Sequence, residues 1–186
     1  MAQVLIVYAT DHGGTKKMAE AVAAGVTSVT GCQAVLKEAL EVTYDDLVAS
    51  DGLIVGTPVH MGGMDWRVKK FIDTVCSAVW MKDAMVGRAG GVFACGSGYG
   101  NAGAGCELTM LSVLNNLAEL GLVLAPLPKS SAGYQTNGLQ WGAYARAHNE
   151  DLSPKGVSDA QLVAATAHGA NIARLAIVLK ENEVFA

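Results

Sequence analysis

The chain has 186 residues, of which 51% are hydrophobic and 16% charged, material for one ordinary domain with a core and far from a disordered composition. Its net charge of −4, with Lys and Arg scattered, excludes the basic stripe of a nucleic-acid binder and falls short of the strongly acidic rim of a dedicated docking partner. The charged residues break up every long apolar run, which argues against a membrane span.

The run Val4-Leu5-Ile6-Val7-Tyr8 predicts a buried strand; it is too short, and lacks the basic flank, for a signal peptide. The polar loop Thr10-Asp11-His12-Gly13-Gly14-Thr15 follows, then a helix with Met18, Val22 and Val26 on one face. A weaker strand is expected at 34–36, a short helix at 44–48 and a strongly buried strand at 52–56. Beyond the loop 57–64, Val68, Phe71, Ile72, Val75 and Val79 mark a second amphipathic helix. A fourth strand at 91–95 runs into the Gly-rich loop 96–105. Leu108, Leu111, Leu114 and Leu117 predict a helix that stops at Gly121, and a fifth strand at 122–127 ends at Pro126 and Pro128. Residues 129–157 are polar and read as a loop too long for a simple connection, hence a functional insertion. Ser158 and Gln161 form a capping box that opens the last helix, which runs to Lys180.

Five apolar strands alternating with helices predict one α/β domain over residues 1–186, a parallel sheet covered on both faces. A closed barrel needs eight strands and roughly 250 residues, so the doubly wound open sheet is expected. In such sheets ligands lie beyond the carboxyl ends of the strands. The three unusual loops, at 10–15, 57–64 and 96–105, all follow strands and should share that edge. The four Cys, at positions 32, 76, 95 and 106, have no C-x-x-C or metal-type spacing. They read as buried small hydrophobes of a reducing, cytoplasmic compartment, with no metal site.

The first loop sits between a strand and a helix, where free backbone N–H groups suit a phosphate. It is neither a G-x-x-x-x-G-K-[ST] nor a G-x-G-x-x-G turn, so the hydroxyls of Thr10 and Thr15 would supplement the backbone. A capped helix start with surface hydroxyls is the plain alternative. In the second loop Pro58 restrains the chain, Gly62 and Gly63 let it fold back, and Val59 and Met61 offer an apolar ledge for a planar ring. The third, Gly96-Ser97-Gly98-Tyr99-Gly100-Asn101, could close on the opposite ring edge or merely connect. Together they point to a flat cofactor bearing one phosphate.

On these features the chain resembles flavodoxin-fold FMN proteins, most closely the WrbA-type NAD(P)H:quinone oxidoreductase family. The first strand and loop carry the likeness, with Gly56-Thr57-Pro58 leading to Gly62, Met64 and Phe71-Ile72-Asp73, then Trp80, Gly87, the loop at 96–100, the 121–126 strand and Trp141-Gly142-Ala143. The resemblance implies a five-stranded parallel sheet in the order 2-1-3-4-5 with FMN as cofactor. It assigns Thr10, Asp11, His12, Gly13, Gly14 and Thr15 to the phosphate. It assigns Pro58, Val59, His60, Met61 and Gly63 to the ring edge, and Cys95, Gly96, Ser97, Gly98, Tyr99 and Gly100 to the opposite side. His12 stands where the family has a Tyr that meets the nicotinamide nucleotide. Trp80 matches a Trp that lines a neighbouring subunit's substrate pocket, and Leu120 replaces a family His over the flavin.

The implied activity is two-electron transfer from NADH or NADPH to a quinone, flavin-based, without an obligatory side-chain acid or base. His60, Trp80 and Tyr99 are the pocket candidates. The family's insertion near residues 40–50 is missing, so a homodimer is expected beside the usual homotetramer. A one-electron flavodoxin, or a regulatory or scaffold protein that keeps its flavin, are the alternatives.

Overall fold

The computed structural model describes residues 1–98 and 105–185. The first strand, β1 (Ala2–Tyr8), is apolar on both sides and pairs in parallel with β2 (Cys32–Glu38) and β3 (Gly52–His60). Next to β3 lies β5 (Ala89–Gly96), and next to β5 lies β8 (Gly142–Arg146), both parallel. Short pieces complete the sheet: β4 (Gly63–Met64) folds back on β3, β6 (Val123–Leu124) pairs with β5, and β7 (Gly138–Leu139) pairs with β8. The path β2-β1-β3-β5-β8-β7 is the predicted doubly wound arrangement.

One face is covered by α1 (Gly14–Thr27) and α7 (Asp159–Lys180). The other is covered by α2 (Tyr44–Val48), α3 (Trp66–Phe71), α4 (Ser77–Trp80) and α5 (Cys106–Glu119). The expected second amphipathic helix exists, with a π-helical turn, Ile72–Cys76, joining α3 to α4. The capping box of Ser158 and Gln161 opens α7 as expected. This helix is apolar and long enough to cross a membrane by length and composition. It lies instead against α1 and the sheet, burying Ala164, Ala165, Ile172, Ala173 and Ala176. All four cysteines are buried and stand outside any disulfide among the described residues.

Two expectations are corrected. The fifth sheet position is filled by two segments, because β6 pairs only with Ala89 and Gly90 before the chain leaves. Pro126 and Pro128 follow without the N–H groups needed to extend a ladder. The upper half of the position belongs to β8, from the stretch 129–157 expected as a loop, which also holds α6 (Tyr134–Asn137) and β7. The helix expected from Leu108, Leu111, Leu114 and Leu117 is α5, which buries Cys106, Thr109, Met110, Val113, Leu114 and Leu117 and leaves Leu108 exposed. Leucines spaced strictly by three drift around a helix of 3.6 residues per turn, so they cannot define its inner face.

Candidate functional site

The carboxyl end of β1 delivers the chain into a tight turn. The Gly13 N–H donates to Thr10 Oγ1 at 3.0 Å, and Gly13 itself takes a left-handed φ of 81° as the residue before α1. Among the described residues, a Cβ there would meet nothing within 4 Å. The helix begins with no side-chain cap and no acid in its first turn. Its first N–H groups therefore lack intrahelical acceptors and, with the helix dipole, favour an anion. Thr15 is buried, and the start of α1 is pressed against β5: a Cβ on Gly14 would lie 3.0 Å from Cys95 Sγ. Burial pushes the Cys95 thiol up to about 12, which makes it a neutral wall at physiological pH.

After β3 the chain reverses through Met61 (φ 49°) and Gly62 (φ 77°) between the paired His60 and Gly63. Two positive φ values in a two-residue loop are the type I′ hairpin, whose twist matches that of its strands. The Met61 side chain is fully exposed at the tip. Beneath it, Thr57 Oγ1 accepts from the Asp65 N–H and donates to the Pro58 carbonyl, both at 2.9 Å. Asp65 is fully buried, caps α3, and takes the Arg67 guanidinium on both oxygens at 2.8 and 2.7 Å. Burial alone would raise this carboxyl; the hydrogen bonds and charge of Arg67 outweigh it and hold it below the usual range. Arg67 also reaches back to the first loop, donating to the Thr10 carbonyl at 3.1 Å and to Asp11 at 2.6 Å.

The third side comes from the ends of β5 and β8. Ala147 N–H donates to the Gly96 carbonyl at 2.9 Å, and Ser97 Oγ lies 2.8 Å from His148 Nδ1. These walls enclose a cleft of about 250 Å³. It is lined by Thr10, Asp11, His12, Gly14, Thr15, Pro58, Val59, His60, Cys95, Gly96, Ser97, Ala147 and His148.

The structure thus brings most of the sequence-predicted residues to one edge. Gly13 shapes the turn, Gly63 pairs with His60, and neither these nor Met61 and Gly98 line the cleft. Tyr99 and Gly100 fall outside the described residues. Trp80, half-exposed, and Leu120, buried, meet in a separate concavity with Ile72 and Asp73, so neither reaches this cleft in its own chain. Sequence reading expected the stretch 129–157 to form part of the pocket wall, and from it Ala147 and His148, not singled out beforehand, line the cleft. It missed Asp65 and Arg67, visible only as an ordinary N-cap followed by a basic residue. A larger concavity, about 540 Å³, lies under the C-terminal tail near Asp51, Arg88 and Phe185. Its main charges are already engaged, Arg88 by the Leu47 and Val48 carbonyls and Asp51 by Lys180 and the Gln3 N–H.

The residues present fit FMN. The uncapped turn suits a phosphate monoester, and Pro58, Val59, Cys95 and Gly96 form an apolar slot for a planar ring. Residues 5–95 match the Flavodoxin domain family. The chain is 32% identical to an NAD(P)H dehydrogenase (quinone) of Syntrophobacter fumaroxidans, over 97% of this chain and 100% of that protein. It is 39% identical to a flavodoxin of Aquifex aeolicus over 67% of this chain, spanning 64% of that relative's length. A flavodoxin, WrbA-like protein from Agrobacterium tumefaciens superposes with a TM-score of 0.67 at 26% identity, covering 98% of this chain and 100% of that one. Fold and site define a flavodoxin-domain flavoprotein. Within that class the chain belongs to the WrbA-like NAD(P)H dehydrogenase (quinone) family.

Proposed function

We propose that the chain is an FMN-dependent oxidoreductase that carries two electrons from NADH or NADPH to a quinone. The observation that carries this reading is the uncapped first turn of α1 opening onto the apolar slot between β3 and β5. Relatives named NAD(P)H dehydrogenase (quinone), aligned over nearly the whole chain, support the choice of donor and acceptor.

Bound FMN supplies the two-electron redox chemistry. The chain supplies placement. Backbone N–H groups of Gly14 and Thr15, with the hydroxyls of Thr10 and Thr15, hold the phosphate, and Gly13 keeps the approach clear. The Asp11 carboxylate is drawn off the anion by Arg67. Pro58, Val59 and His60 would present the hairpin side of the cleft to one ring edge. Cys95, Gly96 and Ser97 would line the opposite side. His12, at the exposed rim, meets the nicotinamide nucleotide. Donor and acceptor would enter the same cleft in turn, and no side chain is assigned as an obligatory acid or base.

The whole chain acts as a single domain in the cytoplasm, as a homodimer or homotetramer in which the half-exposed Trp80 faces a neighbour's pocket. The purified protein should be yellow, release FMN and not FAD in acid, and oxidise NADH or NADPH with benzoquinone by ping-pong kinetics. A colourless preparation that stays so in excess FMN overturns the reading. The likeness to the Aquifex flavodoxin favours a second reading, a one-electron carrier. Tightly held FMN with negligible benzoquinone turnover decides for it.

A further inference from the structure

Asp11 and Asp65 come from different loops, one after β1 and one at the base of the hairpin after β3, yet they share the same two basic groups. Arg67 Nη2 lies 2.6 Å from Asp11 Oδ1 and 2.7 Å from Asp65 Oδ2. On the other side His60 Nε2 lies 3.0 Å from Asp11 Oδ2, and His60 Nδ1 lies 3.3 Å from Asp65 Oδ2. The four side chains close a ring that joins the turn opening α1 to the hairpin edging the cleft.

A carboxylate only accepts protons in such contacts, and a neutral imidazole carries a single N–H. Both nitrogens of His60 are therefore matched only in the imidazolium form. In that state the ring holds two negative and two positive charges. After loss of the proton it carries a net negative charge beside the phosphate turn, and one nitrogen lone pair faces a carboxylate. Both consequences act against an anion bound at the start of α1. Among the described residues, Asp11 and Asp65 are the titratable groups at ion-pair distance from His60, and Arg67 is the fixed charge behind them. Asp65 is anchored: it is buried and caps α3. Asp11 and His60 are partly exposed, with side-chain accessibilities of 39% and 46%, so the ring opens between them.

We propose that His60 is a positioning residue whose imidazolium closes a clasp of Asp11, His60, Asp65 and Arg67, holding the phosphate turn against the ring-edge hairpin. Loss of the proton opens the clasp and loosens FMN. The ligand in this inference rests on the proposed function; the clasp itself does not.

Two measurements on the full chain separate them. The first is amide hydrogen exchange of residues 59–65 without FMN, at about pH 6 and about pH 9, corrected for intrinsic rates and referred to β1. Hairpin protection falls about fivefold with rising pH in the native chain, the upper range for a half-exposed ion pair, and stays constant in His60→Gln. Equal profiles in the two proteins overturn the clasp. The second is equilibrium dialysis with FMN at the same two pH values. The native Kd rises about fivefold, although the phosphate itself gains negative charge over this interval, which favours binding at a helix start. In His60→Gln the Kd is unchanged or falls. A native Kd that does not rise, or the same rise in the variant, overturns the role in FMN retention. If neither protein binds FMN at either pH, the proposed function fails while the exchange profiles still decide the clasp.

Discussion

On the sheet face covered by α1 and α7 the helices meet backbone to backbone, whereas on the opposite face large side chains keep the helices at a distance. A Cβ on Gly25 of α1 would lie 2.0 Å from the Thr166 carbonyl oxygen, and one on Gly169 of α7 would lie 2.2 Å from that of Val22. Around them the layer is built of Ala19, Ala21, Ala165, Ala173 and Ala176. The other layer is filled by Leu47, Phe71, Met85, Met110 and Leu117. The difference matters to the candidate site because α1 begins at the uncapped turn that lines the cleft. A helix clamped by small residues has one seating, while flexible side chains such as Met can repack around a displaced helix. The rigid layer therefore carries the anion-binding end, and the adaptable layer carries the parts of the fold behind the hairpin.

The contrast can be broken most severely at Gly25. Gly25→Val forces two backbones apart, so the loss of stability should exceed the roughly 1–3 kcal/mol of ordinary overpacking, and FMN retention should fall with it. Denaturant unfolding of the variant checks the first, and a midpoint equal to that of the native chain would refute the rigid-layer account. On the other face Met110→Ala should cost about 3 kcal/mol through its cavity, with FMN affinity measured by dialysis changing far less than in Gly25→Val.

A third, smaller effect sharpens the comparison through pH. His168 of α7 is fully buried over β5, and burial, opposed only by the Val92 backbone, pushes its pKa down to about 4. The unfolded chain then binds a proton that the folded chain refuses, between the folded value and an ordinary imidazole near 6.5. Stability contributed by neutral His168 is complete above that upper value and is lost as the pH falls towards about 4. At about pH 4.5 the loss is on the order of 2 kcal/mol. His168→Leu should remove that part of the acid sensitivity in urea titrations at several pH values; an unaltered acid profile would assign it elsewhere. The smallest effect belongs to the outer side of α5. Leu108 is 69% exposed, and Leu108→Ala should change stability by less than about 0.5 kcal/mol, as thermal unfolding would report.

Much of this was legible in the residue order. Unbroken apolar runs such as Val4 to Tyr8 and Leu53 to Val55 mark strands buried on both faces, because only a doubly covered sheet tolerates them. Gly13 beside Thr10 and Thr15 announced the tight turn into α1 for a local reason, since a glycine takes the left-handed conformation ahead of the helix at no steric cost. The Leu spacing marked α5 as a helix, while its packing partners decided which stripe is inner, one that Met110 and Val113 share with Leu114 and Leu117.

What the chain order by itself determined is the class of fold and the glycine turn that opens α1 without a side-chain cap. Only the tertiary structure decided who fills the fifth sheet position and which charges meet at the cleft. Residues 142–146 join β5 from about fifty positions away, and Asp11 finds Arg67 across 56 residues. Such pairings depend on where the chain returns in space, and no local periodicity encodes that.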